Sequence, residues 1–192
     1  MTLHRVSYDV NALATELLPL LKAQSRIDRT DEDAQATEIM ARVIGRVERQ
    51  CGICIAPQVY EWTPRAGTGT NYSERMPPNY WREMAIPVRG FSEVTGVDNG
   101  GLPVTITLHG DVDQLRFGPV WVGRDPSGVQ PADVFTIKAG YETTEEIPPE
   151  LRDTLVRYGA SLWEYREAWG ANVDTMPEWV TEALGIFWVP GV

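Results

Sequence analysis

Cysteine and histidine are nearly absent from this chain, with two of each in 192 residues. Cys51 and Cys54 cannot build a disulfide framework, and so low a cysteine content suits a reducing compartment. A zinc site needs four ligands, and His4 and His109 lie far from the cysteine pair and from each other. A serine triad would have to recruit one of those isolated histidines, and no G-x-S-x-G segment accompanies them. Long apolar runs are missing as well. None approaches the roughly 20 residues that a membrane span needs, so no membrane partner is expected. The start, Met1-Thr2-Leu3-His4-Arg5, lacks an apolar leader core and a cleavage site, and synthesis in a cytoplasm is the expectation.

Basic charge is also in short supply. Lys and Arg number 17 against 27 Asp and Glu, a formal net charge of -10. Broad, charge-driven nucleic-acid binding needs the opposite balance. The excess is uneven: residues 141–192 hold ten acidic and three basic residues, residues 1–140 hold 17 and 14. What remains is ordinary for a chain with a real core, at 43% hydrophobic and 23% charged residues.

The apolar pattern is helical first. Asp9 can cap a helix from Val10 towards Leu21, with Leu13, Leu17, Leu20 and Leu21 at helical spacing and Pro19 expected to kink it or end it early. Thr30 and Asp33 read as a capping box for a second helix. Its stripe is Ala36, Ile39, Met40, Val43, Ile44, Val47 and Cys51, and Gly52 is its natural end. From Ile53 the pattern turns to short strands, at 53–63, 86–88, 92–97, 104–108, 114–117, 120–122 and 133–139. A hairpin signal stands at Asp98-Asn99-Gly100-Gly101. Residues 64–80, rich in Gly, Pro, Asn, Ser and Thr, read as a long loop. Pro149 opens a third helix, lined by Leu151, Leu155, Tyr158, Leu162, Tyr165 and Trp169 and ended by Gly170. A short amphipathic segment from Pro177 carries Trp179, Val180, Leu184, Phe187 and Trp188.

The resulting expectation is an α+β protein. Two N-terminal helices and a long C-terminal helix form a small bundle, with a β-rich insertion over 53–140, all within one domain over 1–192.

Candidate chemistry is thin. Cys51-Gly52-Ile53-Cys54 is a C-x-x-C, but it follows a helix, whose C-terminal dipole disfavours a thiolate; a thiol or zinc module is the weak alternative. Asp28, Asp31, Glu32 and Asp33 lack the glycine and distal glutamate of a calcium loop, and capping explains them better. Asp111 and Asp113 flank a turn. Gly67-Thr68-Gly69-Thr70 has no lysine to make a phosphate loop. Glu145 and Glu146 suit the positive end of the third helix rather than acid–base work. The reading is therefore a non-enzymatic one, with no cofactor and no metal.

Two blocks carry a resemblance. The first runs Leu20-Leu21-Lys22-Ala23-Gln24-Ser25-Arg26-Ile27-Asp28, then Asp31-Glu32-Asp33-Ala34, and ends at Glu48-Arg49-Gln50-Cys51-Gly52. The second runs Lys138-Ala139-Gly140-Tyr141, Ile147-Pro148-Pro149-Glu150-Leu151, then Trp163-Glu164-Tyr165-Arg166-Glu167. In order and spacing they resemble the signatures of head–tail connector proteins, also called adaptors or head-completion proteins. These occur in long-tailed phages and in phage-derived gene transfer agents. The middle, above all 64–80, looks longer than the usual connector.

The resemblance implies a virion protein made in the bacterial cytoplasm and placed at the head–tail junction. Copies would form a ring, typically dodecameric, beneath the portal protein, extend the DNA channel without gripping DNA, and meet the next neck protein or tail terminator. A terminator or stopper is the alternative within the same structure. On this reading Trp179, Leu184, Phe187 and Trp188, in a docking segment over 177–192, are expected to contact portal or a neighbouring copy. Leu162, Tyr165 and Trp169 are expected on an inter-subunit helix face. Glu142, Glu145, Glu146, Glu164 and Glu167 are candidates for an acidic channel lining, and the loop 64–80 for a contact lower in the neck.

Overall fold

The computed structural model of the chain describes residues 2–63, 83–85, 88–98, 100–104, 106–109, 121–124, 134–165 and 176–187. Two compact units divide it. One holds residues 1–8 and 58–140, the other 9–57 and 141–192. The β-rich insertion therefore starts at Gln58 rather than Ile53, and it is completed by a strand from the chain's first residues that the periodicity did not suggest.

In the β unit, β1 (Thr2–Tyr8), β2 (Gln58–Thr63), β7 (Val134–Ala139) and β4 (Phe91–Val97) form an antiparallel sheet in that order. β3 (Glu83–Ala85), β6 (Trp121–Arg124) and β5 (Ile106–His109) form a second one. Central strand β7 buries Phe135, Ile137 and Ala139 on one face, and its register sets Trp62 opposite Phe135. The two rings meet with centroids 5.2 Å apart. The hairpin after β4 forms as the sequence predicts. Asp98 accepts the N–H groups of Gly100 and Leu102 on its carboxylate at 2.8 and 2.9 Å, and Gly101 supplies the positive φ of 77°. Gly96 is required for space, since a Cβ there would lie 2.8 Å from Val104 Cγ2.

The helical unit holds α1 (Val10–Ser25), α2 (Asp33–Cys51), α3 (Pro149–Glu164) and α4 (Glu178–Leu184). α1, α2 and α3 pack on one another, and α4 packs on α3. Asp9 caps α1 as expected, accepting from the Ala12 N–H at 3.0 Å. Pro19 does not end α1, which runs on past it to Ser25. Leu17 and Leu21, fully buried on either side of it, hold the helix in the bundle against the loss of one backbone bond. The capping box does not form: Glu32 is the N-cap of α2 and makes no side-chain cap bond. Asp33 instead pairs with Lys22 of α1 at 2.5 Å, and the same ammonium donates to the Arg29 carbonyl at 3.0 Å. That staple, with Arg26 in the left-handed region at φ 53° and Ile27 buried, is the physical content of the Arg-Ile-Asp step.

Gly52 ends α2 at φ 69°, as read from the sequence. The following segment is held by Glu48, whose Oε1 accepts the Ile55 and Ala56 N–H groups at 2.7 and 2.9 Å. The Tyr141 N–H then donates to the Ile55 carbonyl at 2.9 Å. Pro149 opens α3 as expected. The apolar stripe of α3 finds its partners inside the chain: Leu151, Leu155, Tyr158 and Leu162 are all buried.

The expected strand 114–117, the loop 64–80 and the turn with Asp111 and Asp113 lie outside the described residues. Among the described residues no helix is long and apolar enough to cross a membrane.

Candidate functional site

The same helical period that buries one face of α3 puts a second stripe on the opposite face. Glu150, Asp153, Arg157, Ser161 and Glu164 step along it by three and four residues. The end of α1, at Gln24, and the Trp179 and Ala183 positions of α4 complete a groove of about 730 Å³ around that stripe. Its charged groups are three carboxylates and one guanidinium. Among the described residues none of the four side chains is engaged in a hydrogen bond or ion pair. Thr154 beneath them is satisfied, donating to the Glu150 carbonyl at 2.7 Å. Trp179 is 40% exposed at the rim. The groove thus presents free negative charge beside an aromatic face, a combination that favours a cationic side chain with some apolar length.

Two of the residues named from the sequence, Trp179 and Glu164, meet in this groove. The others disperse. Leu184 and Phe187 are buried within the helical unit, where with Val180 they hold α4 against α3. Among the described residues of this segment, the large apolar side chains that reach solvent are Trp179 and Ile186, the latter 73% exposed. Leu162 is likewise core, so the expected face of Leu162, Tyr165 and Trp169 is not one face. Tyr165, 66% exposed, is the described member that reaches solvent. The reason is local: Leu162 continues the buried stripe of α3, and α4 turns its own apolar side chains inward as it packs on α3. Trp169, Trp188 and Glu167 lie outside the described residues.

Glu142, Glu145, Glu146 and Glu164 are all exposed. They do not make one patch. The first three stand in the turn before α3 and Glu164 at its far end, about 24 Å along the helix axis for 16 residues. Glu146 is partly engaged, accepting the Glu142 backbone N–H at 3.2 Å. Glu150, Asp153 and Arg157 were legible as a helical stripe, but attention to apolar positions passes over them.

The cysteines offer no reactive centre. Cys51 sits in the last turn of α2 with its thiol buried, and burial pushes its pKa from about 9 to about 11. A thiol so placed carries almost no thiolate at neutral pH. Cys54 is also buried.

Neither a family model nor a curated protein matches the chain. Solved structures do. A chain in the virion of the native gene transfer agent particle superposes with a TM-score of 0.67 at 16% identity, over 100% of this chain and 97% of that one. Chains in the neck of the native particle, computed with C12 symmetry, and of the empty particle, computed with C6 symmetry, give the same score and coverage at 15% identity.

The chain has the fold of a gene transfer agent neck protein.

The likeness runs the full length of the chain, and so includes residues of each unit.

Proposed function

We propose that this chain is a structural, non-enzymatic component of the neck of a phage-like particle. Copies form a ring beneath the portal, extend the DNA channel and join head to tail. The observation that carries the reading is the full-length likeness to chains of the gene transfer agent neck, in both directions of coverage. The rest is consistent with it. A net charge of -10 suits a passage that DNA must slide through without being gripped. The exposed acids before α3, Glu142, Glu145 and Glu146, are the candidates for that lining. Trp179 and Ile186 are the candidates for contact with portal or another copy, and the next neck protein or terminator would sit on the opposite side of the ring.

The test is to delete the gene and purify the particles. Filled heads without tails are expected, with tail joining restored by the chain supplied in trans. Particles that join head to tail at the normal frequency without it, or a reconstructed neck in which the chain has no density, would overturn the proposal.

A further inference from the structure

Two features remain unexplained by the fold, and their charges are opposite. One is the acidic groove of α3 and α4. The other is β1. It is the outermost strand of its sheet, and among the described strands nothing pairs with its outer side. All of Thr2–Ser7 is exposed, with Leu3 at 39% and Val6 at 54%. The strand carries His4 and Arg5 and no acid. Its register skips Val6, so Leu3, Arg5 and Tyr8 share one face, opposite Trp62, Tyr60 and Gln58 of β2. On that face the Arg5 guanidinium lies 4.6 Å from the centre of the Tyr8 ring, and among the described residues no carboxylate pairs with it. An open, seven-residue edge with exposed apolar side chains is a surface that soluble proteins ordinarily cover or blunt.

We propose that β1 of one copy docks into the α3–α4 groove of the next. Leu3 packs on Trp179 and Ala183, and Arg5 enters beside Glu150 and Asp153. The occupant is a second copy because the chain itself supplies the complementary charge. β1 carries His4 and Arg5 and no acid, against three carboxylates and one guanidinium in the groove. The two surfaces are different, so the contact is heterologous, the type that propagates around a ring rather than closing a two-fold dimer. The inference rests on the ring reading for the presence of neighbouring copies, and adds which surfaces meet.

The experiment uses assembled particles carrying the full-length variant L3C/A183C, oxidised and run on a non-reducing gel. The buried Cys51 and Cys54 should stay silent. A ladder of linked copies is expected from the double variant and from neither single one. In parallel, Arg5→Glu should lower incorporation into the neck at least tenfold, and adding Asp153→Arg should recover most of it. A double variant that stays monomeric or links only within one chain overturns the proposal, as does a charge pair whose losses simply add. Formaldehyde cross-linking separates the two levels. Copy-to-copy ladders with formaldehyde but not with the disulfide pair reject this contact and keep the ring. Absence of ladders with both rejects the ring reading as well.

Discussion

The guanidinium of Arg46 on α2 donates to the hydroxyl of Tyr158 on α3 at 3.0 Å, across 112 residues of sequence. Tyr158 is fully buried, so its ring fills the bundle while its one polar atom is satisfied by a side chain that also reaches solvent. From the sequence, Arg46 reads as a cation near the negative end of a helix. Its tertiary role is to satisfy a buried phenol. Tyr158→Phe keeps the ring and removes the acceptor, so a loss of about 1 kcal/mol is expected in urea unfolding. Tyr158→Ala also opens a cavity and should cost about 3–5 kcal/mol. Equal losses for the two variants would assign the whole effect to the hydrogen bond, and no loss for Tyr158→Phe would assign it to packing.

Glu48 ties the end of α2 to the segment that leaves it. One carboxylate oxygen accepts two backbone N–H groups, from Ile55 and Ala56. Glu48→Ala leaves both donors without that acceptor and is expected to cost about 2–3 kcal/mol, while Glu48→Gln keeps a neutral acceptor and should lose about 1 kcal/mol. Amide exchange at Ile55 and Ala56 reports the same event locally, and should accelerate in the alanine variant first.

Gly159 and Gly52 answer to different physics. A Cβ on Gly159 would lie 2.5 Å from Met40 Sδ and 3.3 Å from Leu21 Cδ1, at the meeting of α1, α2 and α3. Gly159→Val should therefore destabilise by about 2–3 kcal/mol through overpacking. At Gly52 nothing lies within 4 Å of an added Cβ, and the penalty is the φ of 69° alone. Gly52→Ala should cost about 1 kcal/mol. Trimming Met40 to Ala alongside Gly159→Val should restore part of the loss, and should do nothing for Gly52→Ala.

The Cys51 thiol makes stability depend on alkaline pH. Its pKa is about 11 in the fold against about 9 when free. Below pH 9 both states hold the proton and the group contributes no slope. Between about 9 and 11 the unfolded chain releases it and the folded chain does not, so stability falls as pH rises, and the effect levels off above that window. Unfolding curves at pH 8 and pH 10.5 should differ more for the wild type than for Cys51→Ala. Cys51 should also resist thiol reagents at pH 8 until the chain is unfolded.

Where one chain segment decides, the sequence was a sufficient guide. The α2 stripe from Ala36 to Cys51, the Gly52 stop, the Asp98 hairpin and Pro149 at the head of α3 are each set by periodicity or by one residue's backbone limits, and each is where the residues put it. The fold class followed from those, and the connector-like reading from the resemblance of the two blocks that contain Gly52 and Pro149. Tertiary structure decided what depends on distant partners. β1 is a strand because β2 offers it a ladder, although its own residues show little alternation. α1 passes through Pro19 because burial of Leu17 and Leu21 outweighs one lost bond. Asp33 abandons its cap for Lys22. Leu162 goes inward as the continuation of the buried α3 stripe, and Leu184 and Phe187 as α4 packs on α3, which left Glu150, Asp153, Arg157 and Trp179 to form the groove. Local pattern fixes which residues are apolar on an element. Which of those remain exposed is settled only when the elements choose their neighbours.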